Sequence, residues 1–126
     1  MTEPRALLVA AAEARLKGLA GLAGVAVFDA PPVRGGLPYA EVGEPVLADW
    51  SGTGWTGRDG RVSVALHDGG EWPVRLRGLV GAVEELAAPA VDGWRVVRWL
   101  LVRSRLARSG ERWSASVEFQ VRMVRA

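Results

Sequence analysis

The feature that most constrains this chain is an unbroken alternation close to its C-terminal end. Trp113, Ala115, Val117, Phe119, Val121 and Met123 alternate with Ser114, Ser116, Glu118, Gln120 and Arg122. Side chains of an extended strand point to opposite faces with a period of two, so this segment predicts a strand with one apolar and one solvated face. A strand of that kind needs sheet partners, and it needs a cover for its apolar side.

Two helical patterns supply the cover. Thr2 can cap a helix and Pro4 suits its first turn. Leu8, Ala12, Leu16 and Leu19 then recur at spacings of four, four and three, and the pattern fades at Gly18, Gly21 and Gly24. A helix over about 4–20 is predicted. The strongest stripe is Trp72, Leu76, Leu79, Val80, Val83 and Leu86, with Pro73 near its start and Pro89 beyond its end, which predicts a second helix.

The remaining strands are shorter or less regular. Residues 24–28 are β-like, and 39–43 read as a strand with an extension through Val46 and Leu47. Val62, Val64 and Leu66 alternate with Ser63, Ala65 and His67, a half-buried strand over 61–66. Asp68-Gly69-Gly70 forms a turn. Residues 94–103, WRVVRWLLVR, are apolar on both sides, which predicts a central or covered strand. A turn at Ser109-Gly110 pairs 94–107 with the alternating segment as a hairpin. Three prolines and two glycines make 29–38 a loop. Residues 49–60, DWSGTGWTGRDG, hold four glycines and two tryptophans, and a long mobile loop between strands is predicted there. The order α-β-β-loop-β-α-β-β predicts an α+β fold. Residues 1–126 would form one domain, with two helices packed on one face of a mainly antiparallel sheet.

Composition agrees with this and excludes several function classes. The 126 residues are 49% apolar and 24% charged, enough for a proper core. There is no cysteine and a single histidine, which excludes thiolate zinc sites, cysteine nucleophiles and His-rich metal sites. No apolar run approaches the ~18 residues of a membrane-spanning helix. The start, MTEPRALLVAAAEARLKG, has acidic residues near its beginning and an arginine inside its apolar stretch, unlike a secretory signal. The expectation is a soluble protein made inside the cell, with no membrane partner.

The search for catalytic chemistry finds little. Gly52-Thr53-Gly54-Trp55-Thr56-Gly57 matches G-x-G-x-x-G, but a strand follows it rather than a helix, and Trp55 stands where backbone should approach a phosphate. His67 and Ser63 share a strand face about 13 Å apart, too far for a nucleophile and its base. Glu84 and Glu85 fall on the polar face of the second helix. Asp49 and Asp59 lack the spacing of a calcium loop. No enzyme activity and no cofactor are expected.

Six tryptophans are many for this length. Trp72, Trp94 and Trp113 fall on apolar faces and are expected in the core, and Trp99 in the core or an interface. Trp50 and Trp55 lie in the Gly-rich segment. They would either anchor a protein contact or fold back onto the domain.

Charge is unevenly distributed. Residues 1–93 carry 8 basic and 12 acidic side chains, whereas 94–126 carry 8 basic and 2 acidic. A basic C-terminal hairpin is compatible with nucleic-acid binding, with a solvated strand face, or with an acidic neighbouring subunit.

Taken in order, the motifs have a familiar arrangement. An Ala/Leu-rich helix leads to Val27-Phe28-Asp29-Ala30-Pro31, then Leu37-Pro38-Tyr39 and Val42-Gly43. Asp49-Trp50-Ser51 follows with its Gly/Thr-rich segment, then the strand Val62–His67. A second helix, Gly93-Trp94-Arg95-Val96-Val97 and a final strand after Ser109-Gly110-Glu111 complete the series. In this the chain resembles the tail-completion, or tail-terminator, family of long-tailed phages and gene transfer agents, related to the tail terminators of phages lambda and SPP1. The resemblance covers nearly the whole chain. It departs at Asp68-Gly69-Gly70-Glu71, where family members often carry a longer polar segment.

The resemblance implies structural work at the tail-neck junction of a virion or gene transfer agent particle assembled in the bacterial cytoplasm. Subunits of this chain would form a ring, a hexamer in the family, that caps the tail tube protein and stops its growth. The ring would join a head-neck stopper or connector protein, and DNA would pass through its hole without sequence-specific binding. Under this reading Asp49, Trp50, Ser51, Thr53, Trp55, Thr56, Arg58 and Asp59 are candidates for contacting the tube or lining the channel. A closed ring needs two complementary surfaces per subunit, and Arg98, Arg103 and Arg105 with Glu84 and Glu85 are candidates for them. The alternatives are another neck or tail connector subunit, or a small nucleic-acid-binding module using the 94–126 hairpin.

Overall fold

The structure is a computed structural model and describes residues 3–29 and 36–126. Helix α1 spans Pro4–Lys17 and is followed by a 3-10 turn at Ala20–Leu22. The strands are β1 (Ala26–Phe28), β2 (Tyr39–Val42), β3 (Val46–Asp49) and β4 (Gly57–Gly69). Helix α2 (Val74–Glu84) comes next, then β5 (Trp94–Ser109) and β6 (Arg112–Arg125). The strands form one sheet in the order β1-β2-β4-β6-β5, with β3 pairing β4 beside β2. Among the described residues only β1 and β2 run parallel; the other pairs are antiparallel. The α+β fold read from the sequence is therefore the one observed.

Strand β6 keeps its alternation. Ala115, Val117, Phe119, Val121 and Met123 are buried, and they face a cluster with Val62, Val64 and Leu66 of β4. Both helices close over this same face, α1 through Leu8, Ala12 and Leu16 and α2 through Leu76, Leu79, Val80 and Val83. Burying each such side chain contributes roughly 1.5–3 kcal/mol. Among the described residues no helix lies on the opposite face of the sheet.

Several expectations are corrected. Thr2 lies outside the described residues, as do residues 30–35 of the Pro/Gly loop; Glu3 caps α1, its carboxylate accepting from the backbone N–H of Ala6 at 2.6 Å and of Arg5 at 3.2 Å. The helix ends at Lys17, before Gly18, so Leu19 lies beyond it. Trp72 is 74% exposed rather than core, because Pro73 holds the cap position of α2 and leaves Trp72 outside the helical register. Trp94 is buried and Trp113 half-buried. Trp99 is held in the core region, stacked on Phe119 at 4.6 Å with its indole N–H donating to the Leu86 carbonyl at 2.9 Å.

The placement of β5 is the largest correction. Instead of central or covered, it is the last strand of the sheet, and Val97, Leu100, Leu101 and Val102 are 40–47% exposed. Strand β6 takes the interior place beside it, because its two edges pair along their length with β4 and β5.

A buried charge fixes α2 against β4. Asp68 is 3% exposed. It accepts from Arg75 Nε at 2.8 Å and Nη2 at 2.5 Å, and from the Gly69 N–H at 2.8 Å. The Arg75 hydrogen bonds hold its carboxyl below the ordinary carboxylate range, against the opposing effect of burial.

Candidate functional site

The segment 49–60 is paired rather than an irregular loop. Strand β3 pairs with the start of β4, Val46 opposite Arg61 through Asp49 opposite Arg58, and a further bridge joins Gly52 to Trp55. The segment is a narrow hairpin whose glycines are needed for close approach. A Cβ at Gly60 would run into the Val46 carbonyl, and one at Gly57 into the Trp50 carbonyl. A chain of short polar contacts ties the hairpin together. Ser51 Oγ donates to Asp49 at 2.6 Å and accepts from the Gly57 N–H at 3.1 Å, and Arg58 lies 3.4 Å from Asp49. The Arg125 N–H donates to the Thr56 carbonyl at 2.9 Å, fixing the hairpin to β6. Thr53 is exposed at the tip, and Thr56 is half-buried.

The two hairpin tryptophans meet edge to face at 5.2 Å. Trp50 is half-buried beneath the Arg122 guanidinium, 5.0 Å from its ring centre, whereas Trp55 is 43% exposed. Fold-back and exposure thus divide between them. Together with Arg95, Val97, Val124 and Arg125 they line a recess of about 370 Å³ at the end of the sheet. Arg58 turns towards the other face and sits 5.9 Å over Trp94.

From this recess the uncovered face extends as a polar ladder. Arg122 pairs with Asp59 at 3.4 Å, and Gln120 donates to Asp59 at 3.2 Å and accepts from Arg98 at 3.2 Å. Glu118 lies 3.5 Å from both Arg61 and Arg103. Beyond it, Arg103, Arg105 and His67 frame a shallow trough floored by Ala65, Ser114 and Ser116. Asp59 and Glu118 therefore offset part of the basic charge that the sequence concentrates in 94–126.

The structure brings Asp49, Trp50, Ser51, Trp55, Arg58 and Asp59 into one hairpin, and Arg98, Arg103 and Arg105 onto β5. Glu84 lies beside that same strand, accepting from Ser104 Oγ at 2.5 Å, and Glu85 caps the C-terminus of α2, exposed. His67 is half-buried, 3.1 Å from Glu41 and stacked on Tyr39 at 4.6 Å. Sequence reading gave no hint of that contact, which depends on the β2–β4 register. It also missed Asp68–Arg75, although an acid closing a strand and a base in the next helical turn are a signal for it. Among the described residues no cluster of His, Cys, Asp or Glu is arranged to hold a metal ion, and no helix is long and apolar enough to cross a membrane.

This architecture, two helices on one face of a largely antiparallel sheet with a bare polar face, defines the class of the fold. It is similar over its whole length to a chain of a solved structure described as the virion of a native gene transfer agent particle. The TM-score is 0.84 at 22% identity, covering 98% of this chain and 99% of that one. No protein-family model matches the chain, and neither does any curated protein.

Proposed function

We propose that this chain is a structural protein of a virion or gene transfer agent particle, and within it the tail terminator. A ring of subunits, six by analogy with the family it resembles, caps the tail tube, ends its polymerisation and joins it to the head-neck. The protein works by shape and contact, without a catalytic step. Its partners are further copies of itself, the tube protein and a neck stopper or connector, with DNA passing through the central hole. The observation that carries this reading is the agreement in fold, over 98% of the chain, with a chain of a gene transfer agent virion. The order of motifs described above supports the finer assignment. The Trp50–Trp55 hairpin is its tube-facing or channel-lining element, because it presents an exposed aromatic on a hydrogen-bonded hairpin.

Electron microscopy of particles from a producing strain lacking the gene tests the proposal. Filled heads accompanied by separate, overlong or irregular tails are expected. Normal joined particles would overturn it. The arginines of β5 favour a second reading, duplex binding by the 94–126 hairpin. That reading requires a monomer that shifts oligonucleotides with a steep salt dependence.

A further inference from the structure

The free edge of β5 has the makings of a contact surface. Pairing with β6 slips between Val96 and Arg98 and again between Leu101 and Arg103. Val97 and Val102 therefore bulge out of the ladder. Between them Leu100 lies across from Gln120 and Leu101 across from Phe119, so one projects to each side of the sheet. The result is an apolar rib wrapped around an edge, with all four side chains 40–47% exposed. Bulges interrupt the row of backbone groups that an added strand would need. A partner is thus met by side chains. Arg95, Arg98, Arg103 and Arg105 flank the rib, and 94–110 contains no acidic residue.

The complementary surface lies at the opposite end of the sheet, where α1 packs over β1 and β2. The outer side of α1 carries a groove of about 270 Å³. Ala6, Val9 and Ala10 form its floor, three positions that share one helix face. Its rim carries Glu3, Asp29 and Glu44, with Glu13 paired to Lys17 at 2.7 Å, and Arg5 is the one base among the lining residues. Small floor residues leave room for Val and Leu side chains, and the rim opposes guanidiniums. Glu84 and Glu85 sit on the β5 side of the molecule, so they do not supply the far surface of a head-to-tail contact.

We propose that the Val97–Val102 rib of one copy seats in the α1 groove of a second copy, with the β5 arginines against the acidic rim. This rests on the ring of the proposed function and names its contact. The two surfaces differ, so the contact is heterologous and propagates until it closes.

The chain has no cysteine, so engineered thiols report cleanly. Val102→Cys and Ala10→Cys are made singly and together. They are treated with a short bismaleimide, both as concentrated free protein at low salt and within particles. A mixture of the singles is expected to give 102-to-10 dimers, each single alone none. The double variant is expected to give a ladder that stops at the ring size. Arg103→Glu with Arg105→Glu should cut the linkage at least about tenfold, and a partner carrying Glu13→Arg with Glu44→Arg should restore it. Linkage of 102 to 102, or no 102-to-10 linkage in either setting, overturns the contact. Linkage in particles whose tails are normal without the gene would overturn the terminator role while leaving the contact standing. Gene-dependent tail length without linkage would do the reverse.

Discussion

Strands β5 and β6 are joined by one turn, are nearly equal in length and pair with each other throughout, yet they obey different rules. Strand β6 has a neighbour on both edges, and its side chains alternate without fault between core and solvent. Strand β5 has one neighbour, two register slips and apolar side chains on both sides. Alternation is thus imposed by the layers above and below a strand, and it relaxes where one edge is free.

The strongest test of that contrast is truncation of Phe119, which is 1% exposed. Phe119→Ala should lose about 3–5 kcal/mol in urea unfolding, whereas Leu101→Ala, directly across the ladder, should lose under about 1 kcal/mol. Equal losses would break the comparison. Next in size is Asp68, the buried charge on the covered face. Asp68→Asn should cost about 1–3 kcal/mol at neutral pH. Because Arg75 lowers the carboxyl pKa in the fold, its contribution is complete above the unfolded value of about 3.9. It is lost as pH falls through the lower folded value. Stability of the Asn variant should therefore depend less on pH below about 4.

Smaller still is the hairpin. Of the loss on Trp50→Ala with Trp55→Ala, the edge-to-face pairing accounts for about 0.5–1.5 kcal/mol; the double variant should leave circular dichroism of the sheet intact and weaken binding to the tube protein. Global unfolding would show that the pair is part of the core. The smallest expected effect on stability is at the rib. Leu100→Ser with Val102→Ser should stay within about 0.5 kcal/mol while abolishing self-association in sedimentation. A loss as large as that of Phe119→Ala would mean that the rib supports the fold itself.

What was legible in the sequence follows the same division. The β6 alternation, the α2 stripe from Leu76 and the alternation of β4 from Val62 all mark elements with one covered face, and they fold as read. The run WRVVRWLLVR was ambiguous because consecutive apolar residues describe equally a strand buried on both faces and a bulged edge. Segment 49–60 looked unstructured because its glycines, usually read as freedom, here serve close approach: Gly57 and Gly60 make room for backbone and indole. Of the candidate site, the residues of the hairpin and of the β5 row were legible as groups. Their partners were not, since Arg122 over Trp50 and Glu118 between Arg61 and Arg103 exist only through the β3–β4, β4–β6 and β5–β6 registers together.

The place of β6 between β4 and β5 also bears on when this sheet can close. It follows every other described element in chain order, and β4 meets β5 only through it. During synthesis the two helices and five strands emerge first, and none of them can complete the sheet. Closure joins residues 57–69 to 112–124, a long sequence separation of the kind that slows folding. Until then the edges of β4 and β5 that β6 will pair stand open, and unpaired strand edges are prone to association with other chains. A chain interrupted before residue 112 would lack the one strand that pairs with both β4 and β5.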